Sequence, residues 1–117
     1  MQTLEAKPEW VVSPTKVNAA VQRLIGDGSA LQIYLFGSFV RGEVKENSDL
    51  DLLVVVDDSV EKPRQESVRL RHLLRGIHMP VDILVVTASF FATHRQMPGL
   101  IYREVAEHGR LVYERPR

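Results

Sequence analysis

Residues 31–56 read LQIYLFGSFVRGEVKENSDLDLLVVV, and this stretch decides the fold. It begins with a short apolar run, Leu31 to Phe36, that predicts a β-strand ending at Gly37. It closes with Leu50 to Val56, which is apolar on both faces, as is typical of a buried central strand. The polar segment Glu43 to Ser48 predicts a loop between the two strands. A strand, a glycine turn and a second, fully buried strand therefore form the centre of the expected fold.

Helices and further strands are predicted on both sides of this stretch. The expected elements are a helix capped by Ser13 and ending at Gly26-Asp27-Gly28, a helical turn over Ser38 to Arg41, a long helix from Pro63 to Ile77, a strand from Val81 to Val86, a short helix capped by Ser89, a helix from Leu100 to His108, and an edge strand at Leu111 to Tyr113. This order indicates an α/β domain, an α+β sandwich with helices packed on a short sheet. Whether the first two strands run parallel stays open, because their connection is long for a hairpin and short for a crossover.

The composition narrows the class of protein. The chain has 117 residues, 44% hydrophobic and 26% charged, which fits a single domain over 1–117 with flexible tails at 1–12 and 114–117. Its formal net charge is +0, so duplex DNA is disfavoured as a partner. It has no cysteine, which excludes disulfides and thiolate chemistry. Neither a signal peptide nor a bilayer-spanning run is found, so a cytoplasmic protein without membrane contact is expected.

Two carboxylates lie where the second strand begins. Asp49 and Asp51 are two residues apart, so in a strand both side chains point to the same face. Both are next to apolar residues, which places them at the rim of a core. Their like charges repel each other there. A divalent cation would compensate this repulsion, and Mg²⁺ prefers carboxylate oxygens while keeping positions for water and phosphates.

Asp82 is a third acid, in a strand that is otherwise apolar. A charge in such a strand needs a partner. If its strand lies beside that of Asp49 and Asp51, the three acids surround metal, and two ions can stabilise both oxygens of an in-line phosphoryl displacement. The alternative is an ion pair between Asp82 and Arg64 or Arg71.

The turn at Gly37-Ser38 suits an anion. Glycine lets the backbone approach a phosphate closely, and Ser38 offers a hydroxyl beside the free N–H groups of the following helical turn. Gly-Ser after a strand is common and is usually only a turn. The Gly-Ser pair is informative here because Gly37 lies 12 residues before Asp49.

The pattern as a whole resembles the signature of the DNA polymerase β-like nucleotidyltransferase superfamily. That signature is Gly-Ser, a short helical turn, often Arg-Gly, and Ser-Asp-x-Asp-Leu, matched here by residues 37–42 and 48–52. Within the superfamily, the short chain is similar to the minimal nucleotidyltransferases, such as the MntA antitoxins of HEPN/MNT toxin–antitoxin pairs. The resemblance implies the nucleotidyltransferase fold, a short mixed β-sheet flanked by helices.

The resemblance also implies roles for the matching residues. Gly37 and Ser38 grip the triphosphate, and Asp49 and Asp51 bind two Mg²⁺ ions. Asp82 binds one ion and helps to activate the acceptor hydroxyl. Two further residues are expected at the nucleotide: Ser48, as part of the signature, and Arg41, for which a solvated helix-end arginine is the alternative.

The acceptor is the harder question. A chain of this size has no second domain to enclose a small acceptor, so either a homo-oligomer supplies the other wall or the acceptor is a macromolecule. The resemblance favours transfer of AMP from ATP to a tyrosine of a partner HEPN toxin, which silences the toxin. The rivals are a dimeric enzyme that modifies small molecules, as aminoglycoside-modifying enzymes do, and a catalytically silent antitoxin that acts by contact. The arginine-rich face from Arg64 to Arg75 is either solvated or touches RNA or an acidic partner.

Overall fold

The computed structural model describes residues 10–45 and 48–116. Its elements are α1 Pro14–Asp27, β1 Ala30–Phe36, α2 Ser38–Arg41, β2 Leu50–Val56, α3 Pro63–His72, β3 Val81–Thr87, α4 Ala88–His94, α5 Ile101–His108 and β4 Arg110–Glu114. The predicted α/β class and the order of its elements are confirmed. In the described part of the chain, no helix combines the length and the apolar character needed to cross a membrane.

The four strands form one mixed sheet in the order β3-β2-β1-β4. β1 runs antiparallel to β2 and to β4, whereas β2 and β3 run parallel. The direction of the first pair, which the sequence left open, is therefore antiparallel. β3 and β4 are the edge strands, and the beginnings of β2 and β3 lie at the same end of the sheet as the end of β1.

The two faces of the sheet are covered by different helices. Alternate residues of β2, such as Leu52 and Val54, pack in a core with residues of α1 and α3. Its other residues, Leu53 and Val55, pack in a second core with Phe91 of α4 and Val105 of α5. Since side chains alternate along a strand, Asp51 lies on the second face, the one covered by α4 and α5.

The first helix has the predicted boundaries. Ser13 is its N-cap, and the Ser13 hydroxyl accepts a hydrogen bond from the backbone N–H of Lys16 at 3.3 Å. Pro14 occupies the first turn, where no intrahelical donor is lost. The helix ends at Gly28, which adopts the left-handed conformation with φ 87°.

The third helix is shorter than predicted. The prediction of a helix from Pro63 to Ile77 is wrong in its end, because α3 stops at His72. The chain continues in tight turns whose N–H groups bond three residues back, from Leu73 to Leu70 and from Ile77 to Leu74. Such turns still direct an apolar residue inward every three positions, so the apolar spacing resembles that of a continuing helix.

The cap of the fourth helix also differs from the prediction. The N-cap is Thr87, whose hydroxyl accepts from the N–H of Phe90 at 3.4 Å, and not Ser89. The N–H of Ser89 instead donates to a carboxylate oxygen of Asp58 at 2.9 Å. The helix therefore begins directly at the end of β3, with no intervening loop.

Three residues of the expected tails contact the rest of the fold. Val12 is buried in the first core, and Glu114 is the last residue of β4. The N–H of Arg115 donates to the carbonyl of Leu31 at 2.8 Å. These three residues therefore make contacts within the fold, while residues 1–9 and 117 lie outside the described part of the chain.

Part of the arginine-rich face ties α1 to α3. The guanidinium of Arg69 bonds both carboxylate oxygens of Asp27, at 2.9 and 3.0 Å, and both oxygens of Glu66. The hydrogen bond from Arg69 lowers the pKa of Asp27 from 3.8 to about 2. Arg69 is therefore a structural residue that joins the two helices on the first face.

We expect Arg69→Ala to lower the free energy of unfolding at neutral pH by about 1–2 kcal/mol. The hydrogen bonds between Arg69 and Asp27 are charge-assisted, which strengthens them, but Arg69 is half-exposed, which weakens the ion pair. Because the pKa of Asp27 is depressed, the difference from wild type should shrink as the pH falls from about 4 toward about 2, where Asp27 is protonated. Urea denaturation across this range measures it. Arg64→Ala is the control, because Arg64 makes no ion pair within residues 10–45 and 48–116. Equal losses in the two variants would contradict the account.

Candidate functional site

Gly37 and the carboxylate of Asp51 lie against each other where β1 ends. Phe36, the last residue of β1, pairs with Asp51 in β2, so Gly37 comes next to the Asp51 side chain. A Cβ placed on Gly37 would lie 2.2 Å from Oδ2 of Asp51. The backbone of Gly37, at φ 78° and ψ −153°, also adopts a conformation that is essentially restricted to glycine. No other residue fits this position without displacing the carboxylate.

The register of the sheet brings the second acid and the third acid side by side. Asp51 and Asp82 are direct partners in the parallel pair of β2 and β3, so both side chains leave the same face of the sheet. Asp49 lies just before β2 and is exposed, as is Asp82. The strand arrangement that sequence reasoning required for the three acids is therefore present.

The Asp51 carboxyl is electrostatically strained. Its pKa is raised above the usual value of 3.8, first because it is partly buried and then because Asp82 and Asp49 place negative charge near it. Among the described residues, Arg41 is the group that counteracts this shift, because its positive charge lowers the pKa of Asp51. The ionised site therefore carries excess negative charge that an added cation would relieve.

The chemistry of these side chains fits Mg²⁺, which takes carboxylate oxygens and leaves room for phosphates. Within residues 10–45 and 48–116, no three acidic or histidine side chains stand close enough together to hold a metal ion as they are placed. Asp49 and Asp82 are exposed, so their side chains are free to turn toward Asp51. The three carboxylates suit Mg²⁺, and the metal site is complete when Asp49 and Asp82 turn toward Asp51.

We expect Asp82→Asn to make the metal-free protein as stable as wild type or more stable. The pKa of Asp51 is raised, so the metal-free fold loses stability as the pH rises through that pKa. Removing the Asp82 charge should make this loss shallower. In the described part of the chain Asp82 pairs with neither Arg64 nor Arg71, so no ion pair is lost.

Thermal melts in EDTA from about pH 4 to about pH 8 measure this effect. Melts in Mg²⁺–ATP provide the second half of the comparison, because a ligand that binds only the folded state raises its stability. The Asp82→Asn protein should gain less from Mg²⁺–ATP than wild type does. A large loss in EDTA together with an unchanged gain from Mg²⁺–ATP would make Asp82 a structural residue.

The remaining predicted site residues lie around Gly37 in different ways. Ser38 begins α2, and its hydroxyl makes no hydrogen bond to the described part of the protein, so it is available to a ligand. Arg41 ends α2; its Nε donates to Glu43 at 2.8 Å, and its guanidinium lies 3.7 Å from Glu104. Ser48 is used in its own loop, where its hydroxyl accepts from the N–H of Lys45 at 2.8 Å. Unlike the hydroxyl of Ser38, that of Ser48 therefore already has a structural role.

A cavity of about 360 Å³ opens beside the glycine turn. Its lining includes Gly37 and Arg41, the apolar side chains of Phe36 and Val40, and two residues of α5, Glu104 and His108. Sequence reasoning did not identify Glu104 or His108 as site residues. With Arg41, these two add polar groups to a lining that is otherwise apolar.

Gly109 explains why α5 ends so close to β1. A Cβ on Gly109 would lie 2.5 Å from the carbonyl oxygen of Val105 and 3.1 Å from that of Leu35. Only a residue without a side chain lets the chain pass so near β1 before it enters β4. The glycine after His108 predicted the end of the helix, but no signal in the sequence placed that end beside Gly37.

Comparisons with known proteins agree with this arrangement. The family model for the nucleotidyltransferase domain matches residues 15–112. A protein of Methanocaldococcus jannaschii, named "Putative protein adenylyltransferase", is 29% identical over 86 residues, which cover 74% of this chain and 81% of that protein.

Solved structures share the fold. A toxin–antitoxin solved with AMP-PNP has a TM-score of 0.60 at 22% identity, covering 83% of this chain and 73% of the other. A mutant of the toxin–antitoxin MntA–HpeT has a TM-score of 0.58 at 19% identity, covering 89% and 75%. The match of the family model over nearly the whole described chain is the decisive one. The chain belongs to the nucleotidyltransferase domain family.

Proposed function

We propose that the protein transfers AMP from ATP to a hydroxyl group of a partner protein, at the site formed by Gly37, Asp51 and Asp82. The observation that carries this proposal is the contact of the Asp51 carboxylate with a glycine turn, beside a second acid in register. This places negative charge in need of a cation next to a backbone that can approach a phosphate.

The residues have distinct roles in the proposed reaction. Gly37 and Ser38 hold the triphosphate, with Arg41 and Ser48 nearby, and Asp49, Asp51 and Asp82 hold Mg²⁺, two ions in the full site. The Mg²⁺ ions supply neutralisation of the phosphate charge. The acceptor oxygen forms a bond to the α-phosphorus while the bond from that phosphorus to the bridging oxygen breaks and pyrophosphate leaves. Asp82, which is exposed on an edge strand, takes the proton of the acceptor hydroxyl.

A protein acceptor suits the shape of this domain. Asp49 and Asp82 are both exposed at the end of the sheet where β2 and β3 begin, so a large acceptor can reach them. A macromolecular acceptor can itself enclose the reaction site, whereas a small acceptor needs this chain or a second copy to enclose it. The relative named as a protein adenylyltransferase and the toxin–antitoxin structures support a protein acceptor and a toxin as partner. As part of the proposal, this partner is a HEPN-type toxin that is modified on a tyrosine, and the protein is its antitoxin.

The proposal is tested by incubation with ATP labelled on the α-phosphate or on the γ-phosphate, with and without the protein encoded by the neighbouring gene. Transfer of AMP predicts α-label, and no γ-label, on a tyrosine of the neighbour. Appearance of γ-label would mean a kinase. Label on an added aminoglycoside alone would favour the small-molecule enzyme, and a stable complex without label would favour a silent antitoxin.

A further inference from the structure

A second concave region lies on the other side of the sheet edge, where α3 ends and β3 begins. This pocket has a volume of about 520 Å³. Its lining includes Trp10, Arg71, His72, Arg75, His78 and Val81. We call it the basic pocket, and the reaction proposed above uses none of its side chains.

An exposed aromatic platform forms one wall of the basic pocket. The ring of Trp10 is stacked on that of His78, with centroids 5.4 Å apart and an angle of 14° between the planes. Trp10 is nevertheless 63% exposed, so it offers aromatic surface to a ligand. A large indole left this open is a typical contact residue for a partner.

The charges around the platform have one sign. Arg71 and Arg75 are exposed, and neither forms an ion pair with any residue that the structure describes, in contrast to Arg69. Among the described residues, every ionisable side chain that lines the pocket is basic. The chain as a whole has a formal net charge of +0, so this is a local concentration of unpaired cations. Such a surface attracts an acidic ligand.

The basic pocket is adjacent to the proposed reaction site. Val81 lines it, and the next residue is Asp82, whose side chain leaves the opposite face of β3. The carbonyl of Pro80, also in the pocket wall, accepts from the N–H of Leu50 at 2.8 Å, between Asp49 and Asp51. Because β3 is an edge strand, a segment that lies across its beginning can contact the pocket and Asp82 together.

We propose that the basic pocket docks an acidic segment of the protein acceptor, with an aromatic side chain against Trp10. This rests on the proposed function in taking the acceptor to be a protein. A single-stranded nucleic acid also combines stacking with negative charge, but it needs a positive groove that follows its backbone. Here Arg71 and Arg75 line one pocket of a chain without basic excess, which favours a short acidic protein segment.

The test uses Trp10 as the reporter, because it is the only tryptophan of the chain. The full chain, without nucleotide, is titrated with a random copolymer of glutamate and tyrosine while tryptophan emission is recorded. We expect a saturable change in emission that weakens as salt is added. Since no nucleotide is present, this result does not depend on whether the protein transfers AMP, and the two proposals can fail separately.

Charge reversal locates the binding. The double variant Arg71→Glu/Arg75→Glu should raise the Kd for the copolymer by at least about tenfold. Arg64→Glu, a single charge reversal on α3 outside the pocket, should leave it within about twofold. Both arginines are exposed and unpaired, so the variant is expected to fold, and its melting temperature and its ATP affinity serve as checks.

Three results would overturn the docking proposal. One is the absence of any emission change with the copolymer, and another is an equal Kd in the double variant and in Arg64→Glu. The third is tighter binding of oligouridylate than of the copolymer at the same salt concentration, which would make the pocket a nucleic-acid site.

Discussion

Asp51→Asn is expected to abolish nucleotide transfer while the protein stays folded. The Asp51 carboxylate is the central acid of the site, against Gly37 on one side and in register with Asp82 on the other. Loss of its charge removes metal binding where the phosphate charge develops, which should cost several kcal/mol of transition-state stabilisation and at least about 10³-fold in rate. The metal-free variant should be no less stable than wild type, because the pKa of Asp51 shows that its ionised form is disfavoured in the fold.

The matched control is Asp58→Asn, which changes another aspartate two residues beyond the far end of the same strand. Asp58 accepts a hydrogen bond from the N–H of Ser89, and an asparagine oxygen can accept it as well. Initial rates of pyrophosphate release measure both variants. A rate for Asp51→Asn within about tenfold of wild type would remove Asp51 from the metal site.

Gly37→Ala is expected to have the second largest effect, a loss of at least about 10²-fold in transfer. The added methyl group would overlap Oδ2 of Asp51 and push the carboxylate away, and a displacement of about 1 Å at a catalytic group can cost this much. The variant should also lose about 1–3 kcal/mol of stability, because alanine is strained at this φ and ψ. Rates and ATP affinity are measured well below the melting temperature of the variant.

Gly42→Ala separates backbone strain from the clash. Gly42 also has a positive φ, 72°, but a Cβ there would meet no heavy atom within 4 Å. It should lose some stability and keep its rate within a few-fold of wild type. Equal losses of rate in the two variants would show that the contact between Gly37 and Asp51 has no special role.

Local signals were sufficient for most of the fold. The apolar run from Leu50 to Val56 marked the central strand, and Ser13 marked the start of α1. The errors arose where a different local structure has the same pattern. Tight turns after His72 keep the apolar spacing of a helix, and the hydroxyl of Thr87 caps α4 two residues before the expected Ser89.

The acidic residues of the candidate site could be predicted from the sequence, but the residues that complete the lining of the cavity could not. The spacing of Asp49 and Asp51 on one strand is a local property, so their common face could be read from the sequence. The pairing of Asp82 with Asp51 needed the neighbouring strand, which only its apolar character suggested. Glu104 and His108 lie far along the chain and reach the cavity through the close packing at Gly109, so no local pattern could identify them.

The central claim is that Asp49, Asp51 and Asp82 hold divalent metal beside a triphosphate that rests on Gly37 and Ser38. The most direct measurement is a crystal structure with Mn²⁺ and α,β-methylene ATP, with anomalous scattering used to locate the metal. The account predicts a manganese peak bound by Asp51 and by at least one of the other two acids, with the triphosphate against the glycine turn. A peak away from Asp51, or a triphosphate bound elsewhere on the protein, would contradict it.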